Sequence, residues 1–141
     1  MIGIPFGPGG PRHGQANGYE VIQSIVAPGA NDRQIVYQFA FTAPPAATLR
    51  RVQIDDISED QSGALIDVEN PPLLANLWQI ATAPLEATDP LVKWVYTVTP
   101  SLRVYRFTIT DAAGQRTVLH QLAVYPDYFK AAIRRKWGEK Y

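Results

Sequence analysis

Between residues 102 and 125 apolar and polar side chains alternate with a period of two. Tyr105, Phe107 and Ile109 fall on one face of an extended chain, and Val104, Arg106, Thr108 and Thr110 fall on the other. Alternation this rich in aromatic and β-branched residues predicts a half-buried strand. The run Asp111-Ala-Ala-Gly114 supplies a turn. Aspartate suits the first position of a type I turn because its carboxylate can accept a nearby backbone N–H, and glycine at the fourth tolerates positive φ. With a return strand from about residue 117 to 125, the stretch reads as a β-hairpin.

The same period recurs upstream. Residues 19–27 form a first strand, ended by Pro28-Gly29. In 34–42, Ile35, Tyr37, Phe39 and Phe41 alternate with Val36, Gln38, Ala40 and Thr42 until Pro44-Pro45 stops the strand. In 49–57, Val52 and Ile54 face inward and Arg51 and Gln53 outward; a polar loop, 58–63, then leads to a short edge strand at 64–68. Residues 69–90 hold Pro71, Pro72, Pro84 and Pro90 around an apolar run that fits either a strand at 77–82 or a short helix. Pro84 and the small residues before it favour the edge strand. A further strand is expected at 91–99, with Val92, Trp94, Tyr96 and Val98 on one face and Pro100 ending it.

The two ends differ from this body. Residues 1–17 mix glycine and proline so densely that no regular element is expected, and the segment reads as a flexible arm. The arm nevertheless carries Ile2, Ile4 and Phe6, apolar hooks suited to docking on a partner or a neighbouring copy. At the other end Asp127 can cap a helix and Gly138 can stop it. Phe129, Ala132, Ile133 and Trp137 share one helical face, with Lys130, Arg134, Arg135 and Lys136 around it. The expected layout is an arm (1–17), a β domain (18–126) and a C-terminal amphipathic helix and tail (127–141).

Composition narrows the function classes. At 141 residues the chain reads as one domain with a real core. Its formal net charge of zero argues against a globally basic nucleic-acid binder. Cysteine is absent, which excludes disulfides, thiolate metal sites and cysteine nucleophiles. No apolar run is long enough for a transmembrane helix. The first residues lack the basic and apolar regions of a secretory signal, so synthesis in the cytoplasm is expected.

Short strands separated by Gly/Pro turns describe an antiparallel β-sandwich of seven or eight strands. The stretch from Pro100 to Gln115, with Leu102, Tyr105, Phe107 and Ile109 leading into the Gly114 turn, resembles the penultimate strand and turn of fibronectin type III and immunoglobulin-like domains. The resemblance implies an immunoglobulin-like sandwich, with Tyr105 at a tyrosine corner whose hydroxyl reaches back to upstream backbone. The immunoglobulin Cys…Trp…Cys pattern is missing.

Candidate chemistry is sparse. Of the two histidines, His13 lies in the arm and His120 is expected to be a partly buried structural residue. Ser101, His120 and Asp111 supply the residue types of a triad without a nucleophile-elbow sequence. Asp67 and Glu69, about 7 Å apart on one strand face, are a weak carboxylate pair for glycosidase chemistry. Asp55, Asp56, Glu59 and Asp60 crowd one loop and are weak candidates for Ca²⁺, though without EF-hand spacing. Trp78 is a candidate platform for a sugar ring, and Trp94 reads as core. The basic C-terminal helix could lie on anionic lipid, but its apolar spacing points first to packing on the sandwich. No cofactor is implied. The expected function is a non-catalytic structural or interaction protein, a subunit of a virion, phage tail or secretion-type apparatus. Its expected partners are proteins or copies of itself, met through Ile2, Ile4, Phe6, Arg134 and Arg135. The alternative is a carbohydrate- or Ca²⁺-dependent binding module.

Overall fold

The computed structural model describes residues 15–28, 34–45, 47–60, 62–71, 77–82, 85–86, 88–96 and 99–125. Strands β1 (Gln15–Ala16), β2 (Tyr19–Pro28), β3 (Gln34–Thr42), β4 (Leu49–Ile57) and β5 (Ser62–Glu69) follow in order. β6 (Leu77–Ala81), β7 (Leu85–Glu86), a 3₁₀ helix (Pro90–Tyr96), β8 (Ser101–Asp111) and β9 (Arg116–Tyr125) complete the series. One sheet has the order β1-β2-β3-β6, with β7 also on β3; the other runs β5-β4-β8-β9. Every pairing is antiparallel. The chain is therefore all-β among the described residues. Seven strands have five or more residues, and two have only two each. The arm residues Ile2, Ile4, Phe6 and His13 and the whole expected C-terminal helix, Arg134 and Arg135 included, lie outside the described residues.

The strand alternation builds a single core between the sheets. Tyr37, Phe39 and Phe41 on β3 and Tyr105, Phe107 and Ile109 on β8 are all buried. Rings meet edge to face across the interface: Phe39–Tyr105 at 5.2 Å and 75°, Phe39–Phe107 at 5.5 Å and 88°. Along β3 itself, Tyr37 and Phe39 stack nearly parallel at 6.2 Å. Edge-to-face geometry sets a ring's positive rim on its neighbour's negative face, adding about 0.5–1.5 kcal/mol per pair beyond area burial.

The β8–β9 turn forms as its residues dictate. Gly114 N–H donates to Asp111 O at 2.9 Å, and Gln115 N–H donates to Asp111 Oδ1 at 2.8 Å. Gly114 takes φ +91°, which a side chain resists.

Three expectations are corrected. Residues 90–96 are a 3₁₀ helix, not the start of a strand at 91–99. Asp89 caps it, its Oδ1 accepting Leu91 N–H at 2.9 Å and its carbonyl accepting Val92 N–H at 3.0 Å. Pro90 occupies the first helical position, where its missing N–H costs nothing. Gln15 and Ala16, expected in the arm, pair with Glu20 and Tyr19 across a turn with Asn17 at φ +52° and Gly18 at +85°. His120 is exposed rather than partly buried, because Leu119 and Gln121 take the core positions of β9.

Candidate functional site

Core-facing parity continues past the apolar residues of β4 and β8 into polar ones. On β4 it runs Val52, Ile54, Asp56 and on to Ser58; on β8 it runs back from Tyr105 to Arg103. Asp56 is paired with Tyr105 in the ladder, so Arg103 and Asp56 meet at the same end of the second sheet. The 3₁₀ helix adds Trp94 from the side.

The resulting cluster is sealed at its centre and open to solvent at Asp60. The side chains of Arg103 and Asp56 are both 0% exposed, and Arg103 Nη2 donates to Asp56 Oδ2 at 2.7 Å. Nη1 donates to both oxygens of Asp60, at 2.8 and 2.9 Å. The guanidinium carbon lies 5.1 Å from the centroid of the Trp94 ring. The second oxygen of Asp56 accepts from Ser58 N–H at 2.9 Å and Ser58 Oγ at 2.6 Å, and Ser58 Oγ accepts from Val104 N–H at 2.9 Å. Each contact satisfies a group that burial would otherwise leave stranded.

Trp94 carries the network into the first sheet. Its Nε1 donates to Tyr37 Oη at 3.2 Å, and Tyr37 Oη donates to the carbonyl of Leu91 at 3.2 Å. Its ring also lies 4.7 Å from that of Tyr125. Tyr125 Oη donates to the carbonyl of Ser24 at 3.3 Å and lies 3.5 Å from Tyr105 Oη. The tyrosine-corner expectation is thus not met at Tyr105, whose hydroxyl faces another hydroxyl; Tyr125 makes the cross-sheet bond to backbone.

Burial opposes the charged form of Arg103, but the hydrogen bond and charge of Asp56, with the charge of Asp60, outweigh it and hold its pKa above the ordinary value. Burial pushes the Tyr125 phenol up to about 12, and raises Tyr37 and Tyr105 as well. None of these four groups exchanges protons near neutral pH. The cluster can join the sheets and hold the start of β8.

The sequence-derived candidates are dispersed. Asp56 and Asp60 serve Arg103, while Asp55 pairs with Arg106 at 3.3 Å and Glu59 is exposed. Among the described residues no group of three or more His, Asp or Glu is placed to hold a metal ion. Asp67 binds Arg51 at 2.6 Å on the edge of the second sheet, and this contact draws its carboxyl below the usual range. Trp78 is buried and stacked on Phe41 at 6.1 Å, so it presents no face to a sugar. Ser101 pairs with Tyr125 and His120 with Arg106, whereas Asp111 ends β8 ten residues from Ser101. That separation is about 33 Å of extended strand, so the three make no triad. Arg103 escaped the sequence reading, although its core parity with Tyr105 and the matching parity of Asp56 were the available signal.

No protein-family profile matches the chain, and no curated protein sequence is significantly similar to it. Solved structures similar to it in part include the following two. A DUF3823 family protein from Bacteroides ovatus matches 77% of this chain at 14% identity and a TM-score of 0.44. The match spans only 55% of that protein's length. A late embryogenesis abundant (LEA)-like protein matches 77% of this chain and 70% of its own, at 10% identity and a TM-score of 0.40. Neither likeness identifies a family for this chain.

Proposed function

We propose that the protein is a non-catalytic structural or interaction module of immunoglobulin-like type, a subunit of a larger assembly such as a virion, phage tail or secretion-type apparatus. The observation that carries the reading is the burial of the Arg103–Asp56 ion pair. Arg103 and Asp56 are matched to each other and out of contact with solvent, an arrangement suited to a scaffold.

Strand order supports the immunoglobulin-like type. Lettering β2, β3, β4, β5, β6, β8 and β9 as A, B, C, C′, E, F and G gives sheets A-B-E and C′-C-F-G. Constant-type immunoglobulin domains place A, B, E and D on one sheet and C, F and G on the other. The arrangement here differs in the fourth strand, which joins the second sheet.

Contacts with neighbours are assigned to the arm. Asn17 Nδ2 donates to Thr117 Oγ1 at 3.0 Å, which ties the β1–β2 turn to β9. Ile2, Ile4 and Phe6 then act as hooks for another copy or another protein. Sedimentation velocity over a range of concentrations tests this: the wild-type chain assembles, and Ile4→Asp with Phe6→Asp reduces assembly without lowering the melting temperature. A wild-type chain that stays monomeric at every concentration, alone and with its cellular partners, overturns the reading.

A further inference from the structure

The outer face of the second sheet ends, beside the β8–β9 turn, in a basic depression. One rung of the sheet crosses all four strands there. Glu69 on β5 pairs with Arg51 on β4, Arg51 with Thr110 on β8, and Thr110 with Arg116 on β9. Residues directly opposite in an antiparallel ladder share a face. A β-bulge adds a third arginine to this face. Leu49 pairs with Asp111 and Arg51 with Thr110, so Arg50 is the extra residue. Strict alternation with Val52 and Ile54 would turn Arg50 into the core; the bulge re-aims it outward, where it is exposed. Its Nη2 lies 3.9 Å from the Cβ position of Gly114, over the turn that leads into Arg116. Together with Gln53 and Asn70 these residues line a depression of about 400 Å³.

The charges in it are unequally matched. Arg51 is held by Asp67, its Nε and Nη2 donating to the two carboxylate oxygens at 2.8 and 2.6 Å. Among the described residues the side chains of Arg50 and Arg116 have no hydrogen-bond or ion-pair partner. Nor has Thr110 Oγ1, on the strand between β4 and β9.

We propose that this depression binds a small phosphate monoester, its phosphate set between Arg50 and Arg116 over Thr110 Oγ1. Charge and geometry favour that class. A phosphate monoester carries about −1.5 to −2 at pH 7, which two unpaired guanidiniums balance. Guanidinium forks match its oxygens, and a hydroxyl can donate to another. β4 and β9 stand two strand spacings apart, about 10 Å, which leaves room for one anion between the two arginines. The rest of the wall, the amides of Gln53 and Asn70 and the carboxylate of Glu69, is polar and suits hydroxyl groups on a small ligand. A continuous polyanion fits less well, because Asp67 and Glu69 on β5 bound the basic strip on one side. The site is independent of the assembly reading.

The full-length chain is titrated at low salt with inorganic phosphate and with ribose 5-phosphate, and its amide and arginine Nε–H resonances are followed by NMR. Saturable shifts at Arg50, Thr110 and Arg116 are expected with both probes. Arg50→Gln and Arg116→Gln each weaken ribose 5-phosphate binding by about tenfold or more, through loss of a charge-assisted contact. Glu69→Gln strengthens it, because a like charge leaves the wall. Arg106→Gln, on the same face but paired with Asp55, leaves the affinity unchanged. All four positions are exposed, so melting temperatures stay level and the affinities can be compared directly. Absence of a saturable shift with either probe overturns the proposal. Equal weakening by Arg106→Gln and Arg116→Gln also overturns it, since that marks diffuse attraction rather than a site. Tighter binding of a single-stranded oligonucleotide than of ribose 5-phosphate, at equal phosphate concentration, assigns the arginines to nucleic acid and overturns it as well.

Discussion

Arg103 and Asp56 face each other at 2.7 Å with neither side chain reaching solvent. They lie 47 residues apart in the chain and on adjacent strands. Desolvating two charges costs several kcal/mol per ion, and here the second oxygen of Asp56, bound to Ser58, and the second nitrogen of Arg103, bound to Asp60, offset that cost.

Removing one partner leaves the other charge buried. Arg103→Ala is expected to cost about 3–5 kcal/mol in equilibrium urea unfolding. Asp60→Ala is expected to cost far less, because its carboxylate is 60% exposed and solvent screens it. Arg103→Lys falls near the alanine variant, since an ammonium cannot fork to two carboxylates. Equal losses for Arg103→Ala and Asp60→Ala would show that Asp56 is not the principal partner.

Tyr37→Phe keeps the ring and removes one oxygen. That oxygen accepts from Trp94 and donates to Leu91 O, so the substitution leaves two groups short of a partner. The expected cost is about 1–3 kcal/mol, with faster amide exchange confined to residues 90–96. Exchange that rises evenly over both sheets would place the loss elsewhere.

The buried tyrosines make the fold sensitive to alkali. The Tyr125 phenol titrates at about 12 in the fold, against an ordinary value of 10 in the unfolded chain. Above pH 10 the unfolded chain therefore binds fewer protons than the folded one, and stability falls as pH rises. The contribution is fully present below pH 10 and is lost between 10 and about 12. Tyr37 and Tyr105, raised in the same direction, extend the loss further up the scale. For Tyr125 alone the expected change is roughly 2–3 kcal/mol, at 1.36 kcal/mol per unit. Melting curves from pH 8 to 12 on the wild type and Tyr125→Phe test this; parallel curves would refute it.

Two glycines with positive φ differ in what surrounds them. At Gly114, φ +91°, the nearest atom to an added Cβ is Arg50 Nη2 at 3.9 Å, so Gly114→Ala meets only the backbone penalty of about 1–2 kcal/mol. At Gly18, φ +85°, the Cβ would stand 2.7 Å from Pro44 Cγ, in a ring that cannot swing away. Gly18→Ala is expected to cost roughly 1–3 kcal/mol more than Gly114→Ala. Thermal melts of the two variants side by side would show the order, and the reverse order would contradict the packing of Pro44 on this turn.

Strands with strict alternation were legible because each has one face to bury. β3 and β4 begin and end where the sequence pattern begins and ends, and the Asp111–Gly114 turn follows from its residues. The 3₁₀ helix was misread because Val92, Trp94 and Tyr96 mimic a period of two, whereas the capping pair Asp89-Pro90 carried the contrary signal. Trp78 was ambiguous because a short apolar run does not reveal which face is covered until β6 is paired with β3. Arg103 was hidden by a presumption that core parity ends where the apolar residues end. Matched opposite charges on neighbouring strands can extend it.

The bond from Tyr125 to the carbonyl of Ser24 closes a loop of 101 residues between the last described strand and β2. A chain emerging from the ribosome cannot make it until β9 has been synthesised. Until then Trp94 lacks its neighbouring ring, and β8 presents an unpaired edge to solvent or to other nascent chains. Contacts so distant in sequence slow the search for the native arrangement. The described fold is accordingly expected to form only once β9 has emerged, and chains truncated before residue 116 are expected to be aggregation-prone.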